Sequence, residues 1–401
     1  MSRPDPKEIS RAPLRVLQVN SLFTGGGTDD QCVRLAAGLR EMGHNVWLAG
    51  PGGRQFSKIT RDLGIPHHAT PPEGPAKFRF IFNVAKFIRR ERIQIVHGHH
   101  GRDLWPTILA ARLSGIRPKI VLTRHMAKSP ASWGSRRYLL AQCDALIAVS
   151  HFVAKVLREG VYEPASPEPE RRARPPILGD RSKIRVAHGG INTDQFRPGD
   201  ASAQRREWGL EPHHFAFAVV GGYDLPRGKG QREFLLAAAR IHEKIPDARF
   251  LMVGRGTMKS CLENDIRQLG LTGKARLTPY CSNMPAAMNA LDCLVHPQVG
   301  TEAISLVVLE ALACGKPVIA SALDGIPEAF NAGGYGQLAQ PENIGELASA
   351  MQTWAAHPRR SEAGRLELHQ RMADQFSMSA ATRRVLDIYL SLMPPEAKPA
   401  T

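Results

Sequence analysis

Residues 293–320 read CLVHPQVGTEAISLVVLEALACGKPVIA, and this pattern decides the architecture. Cys293–His296 is a short apolar run, as expected of a strand covered on both faces. Pro297 and Gly300 break it. Ile304–Ala313 then runs without Gly or Pro, which predicts a helix, and Gly315 stops it. Pro317–Ala320 is apolar again. Strand, helix and second strand make one β-α-β unit. The alternation repeats outward in both directions. Phe215–Val220, Arg249–Val253 and Ala275–Thr278 are predicted strands, with a helix over Gly230–Ile245. Upstream, the predicted strands are Leu14–Asn20, Asn45–Ala49, Ile93–His97, Lys119–Thr123, Ala145–Val149 and Ile184–Ala187. A helix over Asp30–Met42 is closed by Gly43. The fold class is therefore α/β, with two doubly wound Rossmann-like domains facing each other across a cleft. We divide the chain into residues 1–198, residues 199–376, and a C-terminal stretch, 377–401, with a helix crossing back towards the first domain. Residues 161–182 are dominated by Pro, Glu and Arg and predict a flexible insertion.

Composition narrows the function classes. With 401 residues, 43% hydrophobic and 22% charged, the chain can bury full-sized cores, which excludes wholesale disorder and a disulfide-stapled scaffold. The six cysteines stand singly, without a C-x-x-C pair, so no zinc ribbon or thioredoxin-like site is expected. Reduced thiols suit a cytoplasmic protein. The first thirteen residues lack an apolar core, so a secretory signal is not expected. No apolar run approaches the ~20 residues of a membrane span. Charge is divided unevenly. Residues 1–200 hold 32 Lys+Arg against 17 Asp+Glu, whereas residues 201–401 hold 21 against 20. The basic half points to an anionic partner: membrane lipid, anionic glycan or nucleic acid. Nucleic acid is the weaker choice, because no reading motif accompanies the charge. Ala76–Arg92 mixes Phe78, Phe80, Ile81, Phe82, Phe87 and Ile88 with Lys77, Arg79, Lys86, Arg89, Arg90 and Arg92. It reads either as a core-packed helix with a basic face or as a helix lying on an anionic membrane.

The chemistry concentrates near Glu302. If the following helix starts at Ile304 or Ser305, its free first-turn amides point into the cleft and form a site for a diphosphate. Ala303, Ile304, Ser305 and Leu306 would contribute there. Glu302 stands just before this end, and Glu310 lies a little over two turns on. Carboxylates beside a phosphate site suit sugar and ribose hydroxyls. Gly26 and Gly27 would let the N-terminal backbone approach the same ligand. His97, His99 and His100 tempt a metal reading, but a polar loop is preferred because no carboxylate completes the set.

As an ordered set these segments resemble the retaining glycosyltransferases of GT-B fold, family-4 type. Glu302–Pro317, with seven residues between its two glutamates, is similar to that family's signature. The resemblance extends over Gly43–Val46, Ile95–His99, Ala145–Ser150, Val186–Asn192 with Phe196 and Pro198, and Asp324–Glu328, which resembles a G-G-x-x-E motif. It implies transfer of a sugar from a nucleotide diphospho-sugar to an acceptor hydroxyl, with retention. No metal and no cofactor other than that donor is implied. Lys229, in Gly228-Lys229-Gly230, matches the family's loop lysine and would stabilise the leaving diphosphate. Glu302 and His125 would join it as catalytic residues. Gly26, Gly27, Arg227, Lys229, Ala303–Leu306 and Glu310 would bind the donor. The family places an Arg directly after the loop glycine; here the chain reads Gly221-Gly222-Tyr223-Asp224, and Arg227 would have to serve from another position. Arg124 and Asp103 would face the acceptor. The expected setting is lipopolysaccharide or other cell-envelope glycan assembly, in the cytoplasm or on the inner face of the plasma membrane, with a glycan or lipid-linked acceptor. Two same-fold alternatives remain: a nucleotide-sugar epimerase, and a glycan- or nucleotide-sugar-binding protein that has lost catalysis. An NAD dehydrogenase lacks its acidic ribose partner.

Overall fold

The computed structural model describes residues 12–21, 27–69, 76–279 and 281–394. The first domain is a parallel sheet of β1 (Arg15–Val19), β2 (Asn45–Gly50), β3 (His67–Ala69), β4 (Ile95–Gly98), β5 (Lys119–Arg124), β6 (Ala145–Ala148) and β9 (Ile184–Val186). Between β6 and β9 lies a small antiparallel ribbon of β7 (Val161–Tyr162) and β8 (Ala173–Arg174). The second sheet, also parallel, contains β10 (Phe215–Val220), β11 (Ala248–Val253), β12 (Ala275–Leu277), β13 (Cys293–His296), β14 (Val318–Ser321) and β15 (Gly336–Ala339). The strand orders are β3-β2-β1-β4-β5-β6-β9 and β12-β11-β10-β13-β14-β15. Each order reverses direction once, between β1 and β4 and between β10 and β13, the positions where doubly wound sheets open a ligand crevice. β4, β6, β13 and β14 are buried along their whole length, which is why their sequences are nearly unbroken apolar runs.

Two edge strands, β3 and β15, were not expected. β3 is only His67-His68-Ala69, and β15 opens on Gly336. That glycine has φ 137°, and a Cβ on it would lie 1.8 Å from Val318 O, so close approach rather than side-chain packing explains its presence.

The segment 161–182, expected as a flexible insertion, is folded instead. Several of its charges are paired. Glu163 pairs with Arg171 at 2.5 Å and with Arg174 at 2.8 Å, and Glu168 meets Arg227 at 3.1 Å. Arg174 and Ile177 are buried. Compositional arguments for disorder assume charges that stay hydrated, and here Glu163 and Glu168 are paired with arginines instead.

The chain passes between domains twice, side by side. Ile191 donates its N–H to Phe376 O at 2.8 Å and bridges in parallel to Ser377. The helix Met378–Leu392 then returns to the first domain and packs on the helix Gly27–Glu41. Gly38 permits the approach, since a Cβ there would sit 2.4 Å from Thr382 Oγ1. Farther along, Tyr389 is fully buried; its hydroxyl accepts from Gln18 Nε2 at 3.1 Å and meets His97 Nδ1 at 2.6 Å. Glu328 of the second domain accepts the N–H groups of His151 and Phe152, capping the helix His151–Arg158 across the junction.

The helix Ala76–Arg90 packs Phe80, Ile81, Val84, Phe87 and Ile88 against the first sheet. Its apolar residues thus serve mainly the core, while Phe78 and Phe82 stay 72% and 55% exposed. Among the described residues, no helix is long and apolar enough to cross a membrane. All six cysteines are free.

Tyr389→Phe should lower stability by about 1–3 kcal/mol, because it strands the buried Gln18 and His97 groups. A urea melt with an unchanged midpoint would show that this anchor carries no weight.

Candidate active site

A cavity of about 360 Å³ opens between the two domains. The second domain supplies the end of β10 (Val220, Gly221), Lys229, His296 and the run from Glu302 to Val307. The first domain supplies Gly27, Thr28 and Gln31 from its first helix, with His125, Val149 and Gly189. Each comes from the carboxyl end of a strand, from the turn that follows or from the first turns of the next helix.

Lys229 sits between two glycines with positive φ, Gly228 at 61° and Gly230 at 88°. A Cβ on Gly230 would fall 2.0 Å from Pro297 O, so the loop closes this tightly only with glycine. The Lys229 ammonium reaches Glu302 Oε2 at 2.9 Å. Beyond Glu302, the helix Leu306–Ala313 begins after Ser305, whose hydroxyl caps no helical amide. That hydroxyl instead meets His296 Nε2 at 3.2 Å. Burial and the charge of Lys229 push His296 down to about 3, so its imidazole is neutral. Its Nδ1 is buried without a hydrogen-bond partner among the described residues. The loop bearing Glu302 is held from both sides. Ser150 donates to Ala303 O at 2.7 Å, and Gly325 N to Glu302 O at 3.1 Å.

Across the cavity, His125 belongs to a chain of neutral histidines. His97, expected in a polar loop, lies buried in β4 because Tyr389 and Thr123, at 2.6 Å each, satisfy both its nitrogens. His99 Nε2 bonds to Gln18 Oε1 at 2.7 Å, so it carries the proton. His99 Nδ1 then accepts from His125 Nε2 at 3.4 Å, which leaves His125 Nδ1 as an acceptor for a hydroxyl. Burial, with smaller effects of His100 and Arg124, pushes His125 down to about 3.

Of the residues selected from sequence, Gly27, His125, Lys229, Glu302, Ala303, Ile304, Ser305 and Leu306 meet at this cavity. Gly26 lies outside the described residues. Four others, Arg227, Asp103, Arg124 and Glu310, do not line the cavity. Arg227 is turned away and held by Glu168 at 3.1 Å and Glu342 at 2.7 Å. Asp103 is 1% exposed and accepts both the N–H and the hydroxyl of Ser21, so it is a structural group rather than an acceptor contact. Arg124 donates to the carbonyls of Lys128 at 2.8 Å and Ser129 at 3.1 Å, shaping the turn after His125 instead of facing a ligand. Glu310, on the same helix as Leu306 and Val307, lies near Asp30 and Arg34 of the opposite domain. Burial, then Asp30, push it up to about 8. Its carboxyl has no hydrogen-bond or ion-pair partner among the described residues.

Sequence reasoning missed Gln31, Gly221 and His296 as wall residues. A signal existed for each. Gln31 is one turn beyond Gly27 on the same helix, and the other two stand at strand ends. Gln31 also joins the domain connector, accepting from Gly190 N at 3.0 Å and donating to Gly190 O at 2.6 Å.

Two parallel-sheet α/β domains enclosing such a cavity define a protein of the GT-B architecture. The glycosyltransferase family 4 sequence model matches residues 25–166, and the glycosyl transferases group 1 model matches residues 203–374. The chain belongs to the group 1 glycosyltransferases of family-4 type. One relative is the D-inositol 3-phosphate glycosyltransferase of Mycobacterium sp. (strain KMS), 33% identical over 176 residues, which are 42% of this chain and 38% of that protein. The match thus spans well under half of that relative's length. The crystal structure of a glycosyltransferase from Rickettsia africae ESF-5 has a TM-score of 0.81 at 20% identity, covering 95% of this chain and 99% of that one. Anabaena Alr3699/HepE in complex with UDP and glucose gives 0.76 at 18% identity, covering 94% and 100%.

The raised Glu310 has a definite sign. Between the ordinary carboxylate range and about pH 8, the folded protein holds a proton that the unfolded chain has lost. Stability should therefore fall as pH rises through that window. Glu310→Gln should flatten the fall and be more stable than wild type by about 1–3 kcal/mol near pH 9. Parallel urea midpoints at acid and alkaline pH would contradict this assignment.

Proposed function

We propose that this protein transfers a sugar, with retention, from a nucleotide diphospho-sugar to an acceptor hydroxyl in the assembly of lipopolysaccharide or another cell-envelope glycan. The carrying observation is the Lys229–Glu302 pair, set in the cavity at the uncapped start of the helix Leu306–Ala313. A diphosphate placed there would meet the ammonium and the first-turn amides, and both become more favourable as the leaving group gains charge. Glu302, freed of Lys229, would accept from sugar hydroxyls opposite His125. Glu310 would accept from the ribose. The diphosphate charge is thus met by protein groups, without calling on a metal ion. The UDP and glucose in the HepE complex support starting with UDP-glucose among candidate donors.

A UDP-, GDP- and ADP-sugar panel followed by calorimetry should find one donor that binds and raises the melting temperature. Lys229→Ala should weaken its binding about tenfold or more, as loss of a charge-assisted bond predicts. Equal affinity in the variant would remove Lys229 from the donor site. A second reading, binding without turnover, is favoured by Arg227, whose guanidinium is committed to Glu168 and Glu342. A donor that binds but is neither transferred nor hydrolysed would select it.

The acceptor is proposed to be glycan or lipid-linked, reached at the inner face of the plasma membrane. Phe78, Phe82, Arg79, Lys86, Arg89 and Arg90 form the exposed side of one helix, a pattern suited to anionic lipid. Neutralising Arg89, Arg90 and Arg92 together should reduce association with anionic vesicles about fivefold per charge at low salt. Undiminished association would place the membrane contact elsewhere.

A further inference from the structure

The ribbon of β7 and β8 brings one guanidinium to a point where both walls of the cavity meet. Arg174 is 1% exposed. Its Nη2 donates to Glu163 Oε1 at 2.8 Å, and its Nη1 donates to Asp324 Oδ2 at 2.9 Å and to Ala127 O at 3.4 Å. Its plane lies over the Phe152 ring at 5.1 Å. Ala127 is two residues beyond His125. Asp324 leads directly to Glu302, because Asp324 Oδ2 accepts the Glu302 N–H at 3.2 Å. Asp324 also has φ 49°, left-handed backbone in a residue that is not glycine. Such a conformation persists where surrounding contacts enforce it, and it clusters at functional sites.

We propose that Arg174 is a positioning residue: acting through Asp324, it fixes the backbone of Glu302 and so couples the ribbon to the donor loop. A purely stabilising role explains the arrangement less well. Burial raises the Asp324 carboxyl by more than Arg174 lowers it, so desolvation outweighs the pairing. A buried pair of this kind adds little net stability but does specify geometry. Here the geometry specified is the turn 323–325, which holds Glu302 twice, through Asp324 Oδ2 and through Gly325 N.

The positioning claim stands apart from the donor's identity. Only its consequence for turnover rests on the transferase reading. Hydrogen exchange of the peptide containing Glu302, in the full-length protein, tests the first part. Asp324→Asn keeps an oxygen acceptor and tolerates positive φ, so the Glu302 amide should exchange within about twofold of wild type. Asp324→Gly keeps the backbone and deletes the acceptor; exchange should rise about tenfold or more. Arg174→Met alone leaves the buried Asp324 carboxylate without its paired cation, while Glu163 keeps Arg171, and can unfold the protein. The double variant Arg174→Met/Asp324→Asn removes one charge of each sign, and its amide should also exchange about tenfold faster while the chain still melts cooperatively. Wild-type exchange in the folded double variant, or equal exchange in Asp324→Asn and Asp324→Gly, would overturn the proposal. With the donor found by the panel, the double variant should lose about tenfold in kcat with KM within about threefold, since Lys229 and the helix amides still bind the diphosphate. A wild-type protein that binds none of the panel would count against the transferase reading, and the exchange result would still decide the role of Arg174.

Discussion

The two interdomain crossings lie against each other, and the cavity exists because they do. Ile191 on the outward pass is hydrogen-bonded to Phe376 on the return. With both crossings at one place, the carboxyl ends of two independent parallel sheets are held face to face. Cross-domain contacts close the gap, Ser150 to Ala303 O and Glu328 to the start of the helix His151–Arg158, while Gln31 ties the first helix to Gly190 beside the crossing. These bonds join loops and helix starts rather than core strands.

Electrostatics give the cavity its character. His125 and His296 are buried enough to stay neutral, so neither competes for a proton or supplies fixed charge. The fixed charges lining the cavity among the described residues are Lys229 and Glu302, and they face each other. Both are partly open to solvent, where an ion pair is worth only about 0–1 kcal/mol. Exchanging this pair for contacts to a ligand costs little. An incoming diphosphate draws the ammonium away and releases the carboxylate for hydroxyls. Neutral imidazoles and apolar neighbours lower the local dielectric, which strengthens the new contacts.

The fold was legible because fully covered parallel strands leave nearly unbroken apolar runs. The strands at β1, β4, β6, β10, β13 and β14 fell within a residue or two of expectation. The edge strands were not legible, since His67-His68-Ala69 is covered on neither face strongly enough to demand apolar residues. At the site, Lys229 could be found because flanking glycines mark a loop that must turn tightly. The residues around Glu302 could be found because the helix start follows a strand and a proline. Arg124, Arg227 and Asp103 misled for one reason. Their type and spacing suit a ligand, but sequence does not say which carbonyls, carboxylates or hydroxyls they meet first. The segment 161–182 misled similarly, because charge content alone does not reveal that its glutamates and arginines pair.

The same distinction refines what the basic half of the chain offers a partner. Its excess of Lys and Arg is not spread evenly in function. Arg174 and Arg171 are spent on Glu163, and Arg124 is spent on backbone carbonyls. Removed from the surface balance, these arginines leave a smaller but better located surplus. The helix Ala76–Arg90 carries no acidic residue in its first turn and ends on Arg89 and Arg90. Cations at a helix C-terminus are favoured by the helix dipole, so part of this clustering answers a local need. The dipole does not explain Phe78 and Phe82, which face outward on the same helix although its inner face is already filled by Phe80, Ile81, Val84, Phe87 and Ile88. Arg90 is shared with Glu91 at 2.9 Å, but exposed aromatics beside the outward-facing Arg79, Lys86 and Arg89 are a combination that neither helix stability nor core packing requires. That is why this helix, rather than the net charge of the whole half, locates the proposed contact with an anionic surface.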